Sequence, residues 1–299
     1  MSQNEWIILA TGLMVATACA IVGCFLVLRR MAMIGDAISH AVLPGIVVAF
    51  LLTGSRDSLW MLLAASAVGL LAVFLIQWFH RQGVQSDASI GVIFTAMFSV
   101  GVVLVSLYAD QVDLDLDCVL FGEINYVPWT KLELFGADIG PKAIWALGLA
   151  LLLIVGCIGL FYKQFKLCAF DPFMAAAVGI PVALFHYALM GLVSVTTVAS
   201  FESVGAILVL GLLVIPPASA YLVTERLSAM IGCAIGYGAA SVVLGYFAAA
   251  WLESSITGTT VAVAGLLFLV TLLLSPSHGV LRNKVRAGRR SPAAPSNAR

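Results

Sequence analysis

The chain is short of charge. Of its 299 residues only 10% are Asp, Glu, Lys or Arg, while 62% are hydrophobic and the mean hydropathy is +1.09. A soluble domain carries about 25% charged residues, so this composition excludes a water-soluble globular fold. The net charge is zero, so the overall balance says nothing about nucleic acid or acidic partners, and the distribution of charge is what informs; no nucleic-acid partner is expected. Cysteine is sparse and unpaired in pattern. Cys19, Cys24, Cys118, Cys157, Cys168 and Cys233 form no C-x-x-C, and most lie in apolar runs, so they read as small buried hydrophobes rather than disulfide partners or zinc ligands. None of the lysines (Lys131, Lys142, Lys163, Lys166, Lys284) follows a glycine, so the G-x-x-x-x-G-K phosphate loop is absent. No His-Glu-x-x-His helix is present either, and an intramembrane zinc protease is excluded with it. The chain is not expected to be an enzyme.

What the chain has in abundance is long apolar runs. About 20 residues span a bilayer, and runs of that length fall near 6–28, 33–53, 58–79, 88–108, 143–162, 182–200, 203–222, 228–252 and 257–275. The region 182–222 also reads as one span plus a broken piece, so the expected fold class is all-α, a polytopic membrane protein of eight or nine transmembrane helices. The first run, Trp6 to Leu28, lacks a basic leader and is too long for a signal core, so it is expected to stay as the first span. With the N-terminus outside, Arg29, Arg30, Arg81, Lys163, Lys166 and Arg226 join the basic tail inside, leaving Arg56, Lys131 and Lys142 outside. That asymmetry is what the positive-inside rule requires. The expected organisation is a transmembrane domain over 1–281 and a basic, disordered cytoplasmic tail over 282–299.

One stretch breaks the apolar rule. Gly35-Asp-Ala-Ile-Ser-His-Ala-Val-Leu-Pro-Gly45 places Asp36 and His40 four residues apart inside the second run. On a helix such a pair shares one face, about 5 to 6 Å apart at Cβ. An ionisable side chain at that depth costs about 2.5 to 3.5 kcal/mol on the insertion scale and faces a cavity, a partner or a polar path rather than lipid. A carboxylate oxygen and an imidazole nitrogen suit Mn(II), Fe(II) and Zn(II) alike. The competing reading is a hydrogen-bonded clamp between two helices. Gly35 is expected to allow a close backbone approach, and Pro44 with Gly45 to interrupt the helix.

Three further segments carry candidates. The outside segment 109–142 is acidic (Asp110, Asp113, Asp115, Asp117, Glu123, Glu133, Asp138), either a cation-gathering entrance or a solvated loop. Asp171-Pro172 is a helix start, with the acid as N-cap and Pro first in the helix. Gly179 and Pro181 end that helix again, which makes a short connector or docking element over about 170–181. Glu202 stands before an apolar run that ends at Pro216-Pro217, where a break is expected; it is a candidate gate carboxylate, as is Glu123, or else a charge at a helix start at the water boundary.

These blocks resemble the membrane subunits of bacterial ATP-binding-cassette importers for manganese, zinc or iron. The resemblance rests on Gly35 to Gly45, on Phe170-Asp-Pro-Phe with Ala175 and Gly179, on Phe201-Glu-Ser-Val-Gly-Ala-Ile-Leu-Val with Pro216 to Ala220, and on Leu274 to Leu281. It implies a fold like the vitamin-B12 and siderophore importer permeases, in the bacterial cytoplasmic membrane. It implies Asp36 and His40 as ligands of the transported ion and Asp171, Ala175 and Gly179 in a coupling helix. It also implies a separate cytoplasmic ATP-binding subunit, a second permease subunit, identical or homologous, and an extracytoplasmic metal-binding protein. No permanently bound cofactor is expected. The rival transport reading is a proton-coupled secondary metal carrier, which needs no docking helix; a purely structural scaffold would need neither.

Overall fold

An apolar segment in hydrocarbon must satisfy its backbone hydrogen bonds internally, which selects the helix. In a computed structural model each apolar run of this chain is helical. The structure describes residues 3–53, 58–108, 124–134 and 137–275. Among these, nine spans are long and apolar enough to cross a membrane, the larger of the two expected counts. In chain order the helices are α1 (Gln3–Leu28), α2 (Ala32–Ala41), α3 (Leu43–Thr53), α4 (Ser58–Arg81), α5 (Ser86–Leu107), α6 (Lys142–Leu160), the short α7 (Tyr162–Phe170) and α8 (Pro172–Ala177), then α9 (Val182–Val204), α10 (Ala206–Val223), α11 (Leu227–Leu252) and α12 (Ile256–Leu274). Helices α2 and α3 together make one span. Residues 109–123 of the acidic segment, Glu123 among them, residues 135–136 and the tail 282–299 lie outside the described residues.

Helix α1 is apolar all round and sits at the centre, with Val15, Cys19, Val22, Phe25 and Leu26 fully buried. It packs on α6, α9, α10 and α11. A second group is built from α2, α3, α4 and α5, and α9 bridges the two by touching α4, α2 and α1. The bridge is lined with small polar groups. Ser194, Thr196, Thr197, Ser200 and Ser203 are all buried, and Ser194 Oγ donates to the Ser66 carbonyl of α4 at 3.2 Å. Small hydroxyl residues let membrane helices approach closely and hydrogen-bond across the contact. Of the cysteines, Cys19, Cys24 and Cys168 are buried like small apolar side chains, Cys157 and Cys233 are half-buried, and Cys118 lies outside the described residues.

Three features differ from the sequence expectation. Pro216 and Pro217 lie inside an unbroken α10. A helix proline frees the carbonyl four residues back, here Leu212 and Leu213, and Gly23 of α1 packs directly on the Leu213 carbonyl. Close packing from a neighbour is what lets a membrane helix keep running through proline. The break falls instead at Gly205, which has φ +78° and separates α9 from α10, so 182–222 is two spans. Glu202 is consequently in the last turn of α9 rather than at a helix start; its side chain is outside the description. The third feature is a hairpin, β1 (Lys131–Leu134) paired antiparallel with β2 (Ala137–Pro141), Lys131 opposite Pro141, in an otherwise helical chain.

Candidate metal site and docking helix

Helices α2 and α3 meet at Val42, whose backbone stays right-handed helical (φ −72°, ψ −25°) and whose N–H still reaches the Ile38 carbonyl at 3.1 Å, so the span runs on with only its hydrogen-bond ladder thinned. Pro44, in the first turn of α3, has no N–H to donate to the His40 carbonyl, and it is pinned by α5: a Cβ on Gly101 would stand 2.9 Å from Pro44 Cδ. The other end of α2 is pinned by Gly35. A Cβ there would collide with the Leu213 side chain of α10, and Leu213 is fully buried. The expected close approach at Gly35 is therefore a side-chain contact from α10. Gly35→Val should destabilise the fold by about 1–3 kcal/mol, the usual cost of overpacking. Thermal inactivation of the purified protein in detergent would show it as a lowered midpoint.

With both ends fixed, Asp36 and His40 lie on one face. His40 Nε2 stands 3.6 Å from Asp36 Oδ1, and the two side chains are 27% and 45% exposed respectively. That distance is longer than a hydrogen bond and is compatible with a shared ion. Two donors each about 2.1 Å from one metal at a tetrahedral angle stand about 3.4 Å apart. Among the described residues no third His, Cys, Asp or Glu completes a cluster. The pair therefore offers two donors and an open side.

The surroundings of His40 were not legible in the sequence. Helix α5 lies against α2 and brings two phenyl rings to the imidazole: Phe94 at 5.1 Å between centroids and Phe98 at 5.8 Å. Nothing marks these two phenylalanines among the 16 of the chain as neighbours of a polar group. Behind Pro44 an apolar cleft of about 360 Å³, lined by Gly45, Val68, Ile93 and Met97 among others, offers an ion no donor.

The candidate docking segment, connector or docking element alike, folds as its sequence dictates. Asp171 caps α8, its Oδ1 accepting from Met174 N–H at 2.9 Å, and Pro172 is the first helical residue. At the other end Gly179 takes φ +86°. Ile180 N–H then returns to the Ala175 carbonyl and Gly179 N–H to the Ala176 carbonyl, both at 3.0 Å. These are the paired bonds of a Schellman stop, which favours glycine at this φ. Ala175 points inward and is fully buried, whereas Phe173 is 87% exposed and Met174 and Val178 are exposed beside it. Of the three residues expected here, Asp171 and Gly179 shape the helix and Ala175 seats it. The outward surface belongs to residues the sequence did not single out. Helix α7 anchors the segment through Phe165, whose ring lies 6.0 Å from Phe25 of α1 and 5.1 Å from Phe185 of α9. Burial raises the pKa of the Cys168 thiol, with Arg29 acting in the opposite direction.

Comparison with known proteins supplies the remaining context. The family model described as the ABC 3 transport family matches residues 4–275. The chain is 52% identical over 286 residues, 96% of its own length and 97% of the relative's, to the manganese transport system membrane protein MntD of Bacillus subtilis. It is 39% identical to the zinc transport system membrane protein TroD of Treponema pallidum, covering 90% of this chain and 73% of that one. Among solved structures, PsaBC from Streptococcus pneumoniae in complex with Fab superposes with a TM-score of 0.79 at 31% identity, covering 95% of this chain and 96% of that chain.

Proposed function

The chain belongs to the ABC 3 transport family, and from that premise we propose that it is the membrane-spanning subunit of an ATP-driven importer for a divalent transition metal ion. Manganese is the first choice of cargo, because the 52% identical relative is named for it, and zinc the second, after the 39% identical one. The donor types admit iron(II) as well. The observation that carries the reading is the half-open Asp36–His40 pair, 3.6 Å apart within an apolar span. Two protein donors make a weak site, as a conduit needs where the ion must leave as well as enter. The open side of the pair is where a second permease subunit, identical or related, would complete the path.

Orientation follows from charge. The nine spans put Arg29, Arg30, Arg81, Lys163, Lys166 and Arg226 at one end and Lys131 and Lys142 at the other. The basic end is cytoplasmic, and α8 lies there with the last residues of α12. Its exposed Phe173, Met174 and Val178 form the surface on which a cytoplasmic ATP-binding subunit docks, the energy source this chain lacks. An extracytoplasmic metal-binding protein delivers the ion at the other face. A proton-coupled carrier has no use for such a docking surface.

The test is uptake of manganese(II) by vesicles containing the complete complex, the delivering protein included. Accumulation should require internal ATP, persist when a protonophore abolishes the proton gradient, and fall when zinc(II) competes. Uptake that stops with the protonophore and ignores ATP would select the secondary carrier instead.

A further inference from the structure

A histidine that binds a metal ordinarily donates its other ring N–H to a carboxylate, a backbone carbonyl or water, and that bond fixes the ring. His40 has no such partner among the described residues. Its ion-pair contact is with Asp36, at 3.6 Å, beyond hydrogen-bond range. An imidazole 27% exposed and held by no hydrogen bond would sample several rotamers, and ordering it would fall on the ion. The ring is nevertheless enclosed. Phe94 meets it tilted by 51°, and Phe98 meets it edge-on at 85°. The two phenyl rings come from successive turns of α5, their own centroids 6.5 Å apart with a 34° tilt. They form a corner closed on two sides of the imidazole and leave its Nε2 toward Asp36.

We infer that Phe94 and Phe98 are positioning residues for His40, supplying by aromatic contact the orientation that a hydrogen bond supplies elsewhere. The inference rests on His40 being a ligand of the transported ion. Its physical logic suits a transit site. A carboxylate partner would raise the basicity of the imidazole and tighten its grip on the metal. A phenyl corner orders the ring without that gain, so binding is prepared while release stays easy. Because the corner belongs to α5 and the ligands to α2, a shift of α5 along α2 would loosen His40.

The experiment measures equilibrium binding of manganese(II) to the complete complex without ATP, for Phe94→Leu, Phe98→Leu, the double variant, Phe94→Tyr, His40→Ala, and Phe94→Leu in the His40→Ala background. Leucine keeps apolar bulk and removes the ring; tyrosine keeps the ring. Each leucine variant should weaken binding by about 2- to 10-fold, the range of one aromatic contact. The double variant should fall short of the product of the singles, because both act on one ring. Phe94→Tyr should bind like the parent, and Phe94→Leu should have no further effect once His40 is gone. Parent-like binding by both leucine variants, while His40→Ala abolishes it, would overturn the inference and leave the ligand assignment standing. So would a loss that tyrosine does not rescue and that accompanies a lowered unfolding midpoint, since that marks a structural role. Unchanged binding in His40→Ala itself would remove the ligand assignment and the inference with it.

Discussion

His40→Ala is expected to abolish metal uptake, to below about 1% of the parent rate, while the protein still inserts and still copurifies with its ATP-binding subunit. Loss of a residue that merely supports a metal ligand typically costs 10- to 100-fold in affinity or activity. If His40 and Asp36 are the ion's ligands, removing one of the two candidate donors found among the described residues should exceed that. The variant should fold, because the imidazole is partly open and makes no hydrogen bond to a described residue that would be stranded. Asp36→Asn should behave alike. It keeps the shape of the side chain but removes the charge, and a neutral amide oxygen is a poor substitute for an anionic donor to a divalent ion. The measurement is manganese(II) accumulation in vesicles at matched expression. Uptake retained by both variants would show that the path does not run past this face of α2.

How much of this was legible beforehand differs from element to element. The spans were, because hydrocarbon leaves an apolar run no alternative to the helix, and the count of nine fell within the expected range. The Asp36–His40 pair was legible because ionisable residues are so rare in these runs that two of them one turn apart stand out. The ends of α8 were legible as well, since an N-cap acid before proline and a glycine at the stop are local chemistry. What could not be read was whatever depends on a neighbour. Pro216-Pro217 looks like a break in one dimension; only with Gly23 packed on the Leu213 carbonyl does the helix become continuous. Glu202 looks like a helix start until Gly205, three residues later, takes φ +78° and ends the helix there. Ala175 and Phe173 are two residues apart, yet one is fully buried and the other almost wholly exposed. Nothing in a six-residue helix tells which side faces the bundle. Phe94 and Phe98 resemble ordinary lipid-facing aromatics until α2 is laid against α5.

Phe173→Asp should separate the two halves of the transport cycle. At 87% exposure this phenyl ring has no packing role within the chain, so replacing it leaves the permease folded. Outside the spans it has no lipid to face. An exposed aromatic surrounded by Met174 and Val178 is the composition of a binding hot spot, where truncation costs about 2 kcal/mol or more, roughly a 30-fold loss of affinity. An aspartate adds the cost of burying an unpaired charge in the proposed interface. The expected result is loss of the ATP-binding subunit on copurification and loss of ATP-dependent uptake, with manganese(II) binding at Asp36 and His40 unchanged. The helix itself provides a graded control. Asp171→Asn should dock nearly normally, because asparagine caps as well as aspartate. Asp171→Ala loses the bond to Met174 N–H, about 1 kcal/mol of helix stability, and should dock measurably less well. The order Phe173→Asp, then Asp171→Ala, then Asp171→Asn is what a rigid, outward-facing peg predicts. Normal copurification by Phe173→Asp would mean that the ATP-binding subunit engages some other part of the basic face, and that α8 only links α7 to α9.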